Sequence, residues 1–127
     1  MRQGFGSGAP YPYTPAVRAG DFVFISGQVP TGADGTLVKG GVEAQTRAAL
    51  DNLGKALALA GCSFDDVVKV TAFLGEAGDF GGFNAVYATY FKAPPPARST
   101  VCISLVVDAR IELEAIAYRP LAAGGTA

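Results

Sequence analysis

From Val42 to Ala60 the apolar residues return at steps of three and four: Val42, Ala49, Leu50, Leu53, Leu57 and Ala60, with the half-apolar Thr46 on the same stripe. This period predicts a helix with one buried face, and Gly61 stands where a left-handed residue ends it. A second stripe, Phe80, Phe83, Val86, Tyr87, Tyr90 and Phe91, predicts a helix from Phe80 to about Phe91 with Asp79 as its cap. Gly81 and Gly82 weaken its first turn by roughly 1 kcal/mol each relative to Ala, and Pro94, Pro95 and Pro96 forbid its continuation. The aromatic stripe is read as core and not as a cofactor box.

Elsewhere the period is two. Val17-Arg18 and Phe22 to Ser26, joined across Gly20, predict a hairpin; an Asp34-Gly35 turn precedes a short strand at Thr36 to Val38. Val67 to Leu74 is apolar in both alternating sets, which predicts a strand covered on both faces. Ser99 to Val107 and Arg110 to Tyr118 predict two more strands, while residues 1–12 read as an extended surface segment and 120–127 as a flexible tail. The order is strand-strand, an optional short strand, helix-strand-helix-strand-strand: an α+β domain with both helices on one face of one sheet. The other face then requires cover, and a second copy of the chain is the simplest source, so a homo-oligomer is expected.

Composition narrows the function. A chain of 127 residues, 50% hydrophobic, fits a single domain, 1–127. No apolar run approaches the roughly 18 to 20 residues of a membrane span. The opening residues lack the apolar centre of a signal peptide, so a cytoplasmic protein is expected. Ten basic and eleven acidic residues leave a net charge of -1, scattered along the chain, which disfavours a nucleic-acid partner. The absence of histidine removes Ser-His and Cys-His nucleophilic systems and the commonest transition-metal ligand. Cys62, in a turn, and Cys102, in an expected buried strand, form no CxxC and read as packing thiols.

Few side chains remain for chemistry. Arg98 follows three prolines at the start of a strand, where its planar fork suits a carboxylate; the alternative is a bridge to a structural Asp or Glu. Glu112 and Glu114, two apart, share one strand face, either a solvated edge or the wall of a cleft in which a carboxylate orients water and moves protons. Tyr13 and Asn84 bring a phenol and an amide. Gly27, in Ser26-Gly27-Gln28, lets a ligand approach the backbone.

Taken together, these segments resemble the RidA (YjgF/YER057c/UK114) family. The resemblance is carried by residues 16–28, Gly41 to Arg47, Asp66 to Thr71, Phe83 to Tyr87, Pro96 to Thr100 and Ile111 to Ala117, in family order from about Tyr13 to Tyr118. It implies a chorismate-mutase-like fold of about six strands in one mixed sheet, assembled as a homotrimeric barrel with three clefts between subunits. It implies hydrolytic deamination of reactive 2-enamino and 2-imino acids to 2-keto acids and ammonia. Arg98 then falls on the family's carboxylate-binding arginine, Glu112 on its water-positioning glutamate, Tyr13 and Asn84 on pocket positions, and Gly27 on the cleft-lining glycine. Thr100 replaces a frequent cysteine but keeps the backbone amide that can touch the carboxylate. Tyr11 replaces the glycine of a usual Gly-Pro-Tyr and reshapes the cleft mouth. No metal or organic cofactor is required, since an activated C=N bond asks for positioning and proton management. Two rivals stay open: a pathway-specific deaminase of the aminomuconate or aminoacrylate type, and a non-catalytic binder of small 2-keto acids.

Overall fold

Six strands and two α-helices run along residues 1–122, which the computed structural model describes. They are β1 (Arg2–Phe5), β2 (Ala16–Ala19), β3 (Phe22–Gln28), α1 (Val42–Leu59), β4 (Val67–Leu74), α2 (Phe80–Tyr87), β5 (Ala97–Cys102) and β6 (Ile111–Tyr118). The sheet order is β1-β2-β3-β6-β4-β5, and only the β4–β5 pair is parallel. The last strand, β6, is inserted between β3 and β4. The α1 crossover therefore spans one intervening strand, whereas α2 joins direct neighbours.

Both helices cover one face of this mixed sheet. Leu50, Leu53 and Leu57 of α1 and Phe83 of α2 are fully buried with Val23, Val70, Ile111 and Leu113 of the strands. Each such side chain contributes about 1.5–3 kcal/mol by leaving water. Gly61, at φ +76°, ends α1 as the pattern predicts: its N–H donates to the Ala58 carbonyl and the Cys62 N–H to that of Leu57. In β6 the residues Ile111, Leu113, Ala115 and Ala117 point to the helices; Glu112, Glu114, Ile116 and Tyr118 point away. On that second face Phe22, Phe24, Val101 and Tyr118 lie between 43% and 45% exposed, an apolar surface with no cover among the described residues.

Several expectations are corrected. The N-terminal segment carries β1, which the pattern misses because an edge strand of Arg-Gln-Gly-Phe joins the sheet through its backbone and shows no alternation. β5 spans Ala97–Cys102 and not Ser99 to Val107: its partner β4 ends at Leu74, whose carbonyl takes a last hydrogen bond from the Ile103 N–H, and the chain then turns out until Val106 is almost wholly exposed. α2 stops at Tyr87, where the Thr89 hydroxyl donates to the Val86 carbonyl; Tyr90 and Phe91 continue the apolar stripe outside the helix by packing on Phe64. Asp79 holds the N-cap position of α2 as expected but makes no side-chain cap hydrogen bond, its carboxylate lying 2.9 Å from Arg110 instead. The strand expected at Thr36 to Val38 reduces to one bridge, Thr31 to Leu37. Cys102, expected in a buried strand, is exposed on an edge strand. Of the expected tail, residues 123–127 lie outside the described residues.

Candidate functional site

Five of the six sequence-derived site residues fall into two clefts. The first, about 800 Å³, is lined by Tyr11, Tyr13, Ser26, Gly27 and Glu112, with Val106 and Val107 of the β5–β6 loop. A local turn builds its rim: the Gly8 N–H donates to the Tyr13 carbonyl and the Tyr11 N–H to that of Gly8. Ser26 ties this segment to β3, its N–H donating to the Pro15 carbonyl and its hydroxyl, at 2.6 Å, to that of Thr14. The β3–β6 register is irregular between Ile25 and Gln28, which takes Gly27 out of the regular ladder. Glu112 uses the space this leaves. A Cβ on Gly27 would collide with Glu112 Oε2 and lie 3.0 Å from its Cδ. Burial pushes the Glu112 carboxyl above its ordinary value, and the charge of Glu114 pushes in the same direction.

The second cleft, about 610 Å³, is lined by Asn84, Tyr87, Phe91, Pro95, Pro96 and Arg98 among others. Arg98 lies opposite Val70 in the β4–β5 ladder and so faces the helices. Its guanidinium carbon sits 4.8 Å from the ring centre of Tyr87, 5.0 Å from that of Phe83 and 5.8 Å from that of Phe80. Among the described residues the cation–carboxylate pairs are Lys92–Asp65, Arg110–Asp79 and Arg119–Asp66, and none involves Arg98. Arg98 thus bridges to no Asp or Glu among the described residues of its own chain. Below it, the Tyr87 hydroxyl is buried without a hydrogen-bond partner. Burial pushes that phenol up to about 12, opposed by the charge of Arg98.

Within one chain, then, Asn84 and Arg98 share one cleft and Tyr13, Gly27 and Glu112 share the other. They lie on opposite faces of the sheet, since Arg98 follows Val70 toward the helices and Glu112 projects with Glu114 away from them. Thr100 is two residues beyond Arg98, opposite Ala72, and lines neither cleft. Sequence reasoning missed the support that Phe80, Phe83 and Tyr87 give Arg98. Their spacing places them on one helix face, but nothing in it says that β5 brings a guanidinium over them. Among the described residues no group of His, Cys, Asp and Glu is placed to hold a metal ion, and no helix is long and apolar enough to cross a membrane.

Residues 7–119 match the family described as Endoribonuclease L-PSP, which is the RidA/YjgF family. The chain belongs to the RidA family. Among its RidA relatives, a RutC family protein of Pyrococcus horikoshii is 47% identical over 110 residues, covering 85% of this chain and 87% of that one. A mouse protein named 2-iminobutanoate/2-iminopropanoate deaminase is 44% identical over 110 residues, covering 85% and 82%. The E. coli TdcF structure with bound serine superposes with a TM-score of 0.85 at 34% identity, covering 92% of this chain and 98% of that one. The RidA fold expected from the sequence, one mixed sheet of six strands under two helices, is the fold observed.

Proposed function

We propose that this RidA protein hydrolyses 2-enamino and 2-imino acids of the 2-aminoacrylate/2-iminopropanoate type to 2-keto acids and ammonia. The observation that carries the reading is Arg98: a guanidinium on a cleft wall beside Asn84, with no carboxylate partner among the described residues. Such a cation is free to take a substrate carboxylate bidentately. The names of the mammalian relatives, at 42–44% identity, support the reaction type.

Glu112 performs the complementary task. It sits against the Gly27 backbone with its carboxyl raised, which suits a group that accepts a proton from water and returns one to the leaving nitrogen. Water adds to the C=N carbon to give a carbinolamine. Its collapse forms the C=O bond and breaks the C–N bond, and the nitrogen leaves as ammonia with the proton that Glu112 holds. Tyr13 closes the far wall on the Glu112 side.

Because Arg98 and Glu112 lie on opposite faces, one chain cannot complete the site alone. The proposed assembly is the homotrimer, with each cleft formed by the Arg98 side of one copy and the Glu112 side of the next. The apolar second face, with Phe22, Phe24, Val101 and Tyr118, supports a sheet covered by its own copies in a cytoplasmic protein. The serine in TdcF is consistent with a small amino-acid-like ligand.

The test is Arg98→Ala, assayed by ammonia release from freshly generated 2-iminopropanoate. Loss of about 10²-fold or more in kcat/KM is expected, the scale for truncating one partner of a desolvated charge pair. Unchanged turnover in a folded protein refutes the assignment. Wild-type protein that binds 2-ketobutyrate without releasing ammonia from any imine refutes the enzymatic reading.

A further inference from the structure

Arg98 presents a physical problem that its own cleft solves. A long cationic side chain with no carboxylate partner among the described residues should sample many rotamers, and each torsion fixed on binding costs affinity. A carboxylate of the fold would hold it but would occupy the N–H donors that the ligand needs. The structure uses aromatic faces instead. Phe80, Phe83 and Tyr87, at positions i, i+3 and i+7 of α2, surround the guanidinium carbon at 5.8, 5.0 and 4.8 Å. A ring quadrupole attracts the cation without consuming a donor. Phe83 and Tyr87 also belong to the core, whereas Phe80 is 46% exposed within the single chain and its ring lies against the guanidinium.

We propose that Phe80, with Phe83 and Tyr87, is a positioning group for Arg98: the rings fix the guanidinium plane so that its N–H edge stays open to the ligand carboxylate. This rests on the reading of Arg98 as the carboxylate grip. It makes the π face at position 80, and not bulk, a determinant of ligand affinity. Because the rings act through Arg98, their effect falls on binding and leaves the chemical step alone.

The experiment compares Phe80→Leu and Phe80→Tyr with Arg98→Ala, using calorimetric binding of 2-ketobutyrate and steady-state hydrolysis of 2-iminopropanoate. Phe80→Leu keeps an apolar side chain but removes the quadrupole; Kd and KM are expected to rise together by about two- to fivefold with kcat unchanged. Phe80→Tyr keeps the ring and is expected to match the wild type. The inference is overturned if Phe80→Leu binds like the wild type while Arg98→Ala does not, or if Phe80→Tyr loses as much as Phe80→Leu. Unaltered binding by Arg98→Ala would instead defeat the grip itself, so the two failures are distinguishable.

Discussion

Gly27→Ala offers a sharp probe of the Glu112 half of the site, because the added methyl group falls where the carboxylate rests. The new Cβ would collide with Oε2 and lie 3.0 Å from Cδ and 3.4 Å from Cγ of Glu112. Ordinary carbon–carbon contacts lie at about 3.5–4.0 Å, so the carboxyl must withdraw by on the order of 1 Å. Misplacement on that scale costs about 10²-fold when the displaced group acts in the chemical step. Folding should suffer little. Gly27 lies outside the left-handed region, and the colliding atoms are the movable end of a side chain, which puts the overpacking cost near about 1 kcal/mol. The assay is the initial rate of ammonia release from 2-iminopropanoate formed in situ by oxidation of alanine, with a thermal melt on the same sample. In a Glu112→Ala background, Gly27→Ala should cause no further loss, since the group it displaces is already gone. A Gly27→Ala protein that melts and turns over like the wild type would show that the carboxylate position does not matter.

Glu112→Gln is expected to raise the melting temperature near about pH 7.5 and leave it unchanged near about pH 4. The folded state holds the Glu112 carboxyl above its unfolded value, so ionisation there opposes folding; the penalty is absent below the unfolded pKa, grows as pH rises through the folded one, and is constant above it. Melts across that range check it, and a stabilisation confined to acid would reverse the sign of the argument. Gly61→Ala meets no atom within 4 Å but must hold φ +76°, so its cost is conformational, about 1–2 kcal/mol by urea unfolding, and an undiminished stability would refute the left-handed stop to α1.

How far the fold was legible depended on where each element buries its side chains. Thr46, Ala49, Leu50, Leu53 and Leu57 write a helical stripe because one solid face of α1 meets the sheet, and β6 alternates because its two faces meet different surroundings. β1 wrote nothing, since an edge strand held by its backbone has no buried set. β5 was drawn five residues too long because Ile103, Leu105, Val106 and Val107 are as apolar as a buried strand yet lie in a loop. For the site, Arg98 and Glu112 could be named from strand position and family resemblance. Their separation onto opposite faces needs the register through Val70 and Phe73, and pairing partners distant in sequence leave no local pattern. The rings beneath Arg98 were hidden for a related reason: an aromatic stripe reads as core whether or not a cation later lies on it.

The division of Arg98 and Glu112 between two faces has a meaning in genetics. In the proposed trimer a copy lacking Arg98 still offers an intact Glu112 side, and a copy lacking Glu112 still offers an intact Arg98 side. Neither assembles a working cleft with its own kind, yet wherever the two meet in the right order one cleft is whole. Random co-assembly of equal amounts leaves about one cleft in four intact. Two alleles that are each dead alone would therefore complement, whereas two defects on the same face never would, so crosses between point mutants would sort the residues of this protein by the side of the sheet from which they act.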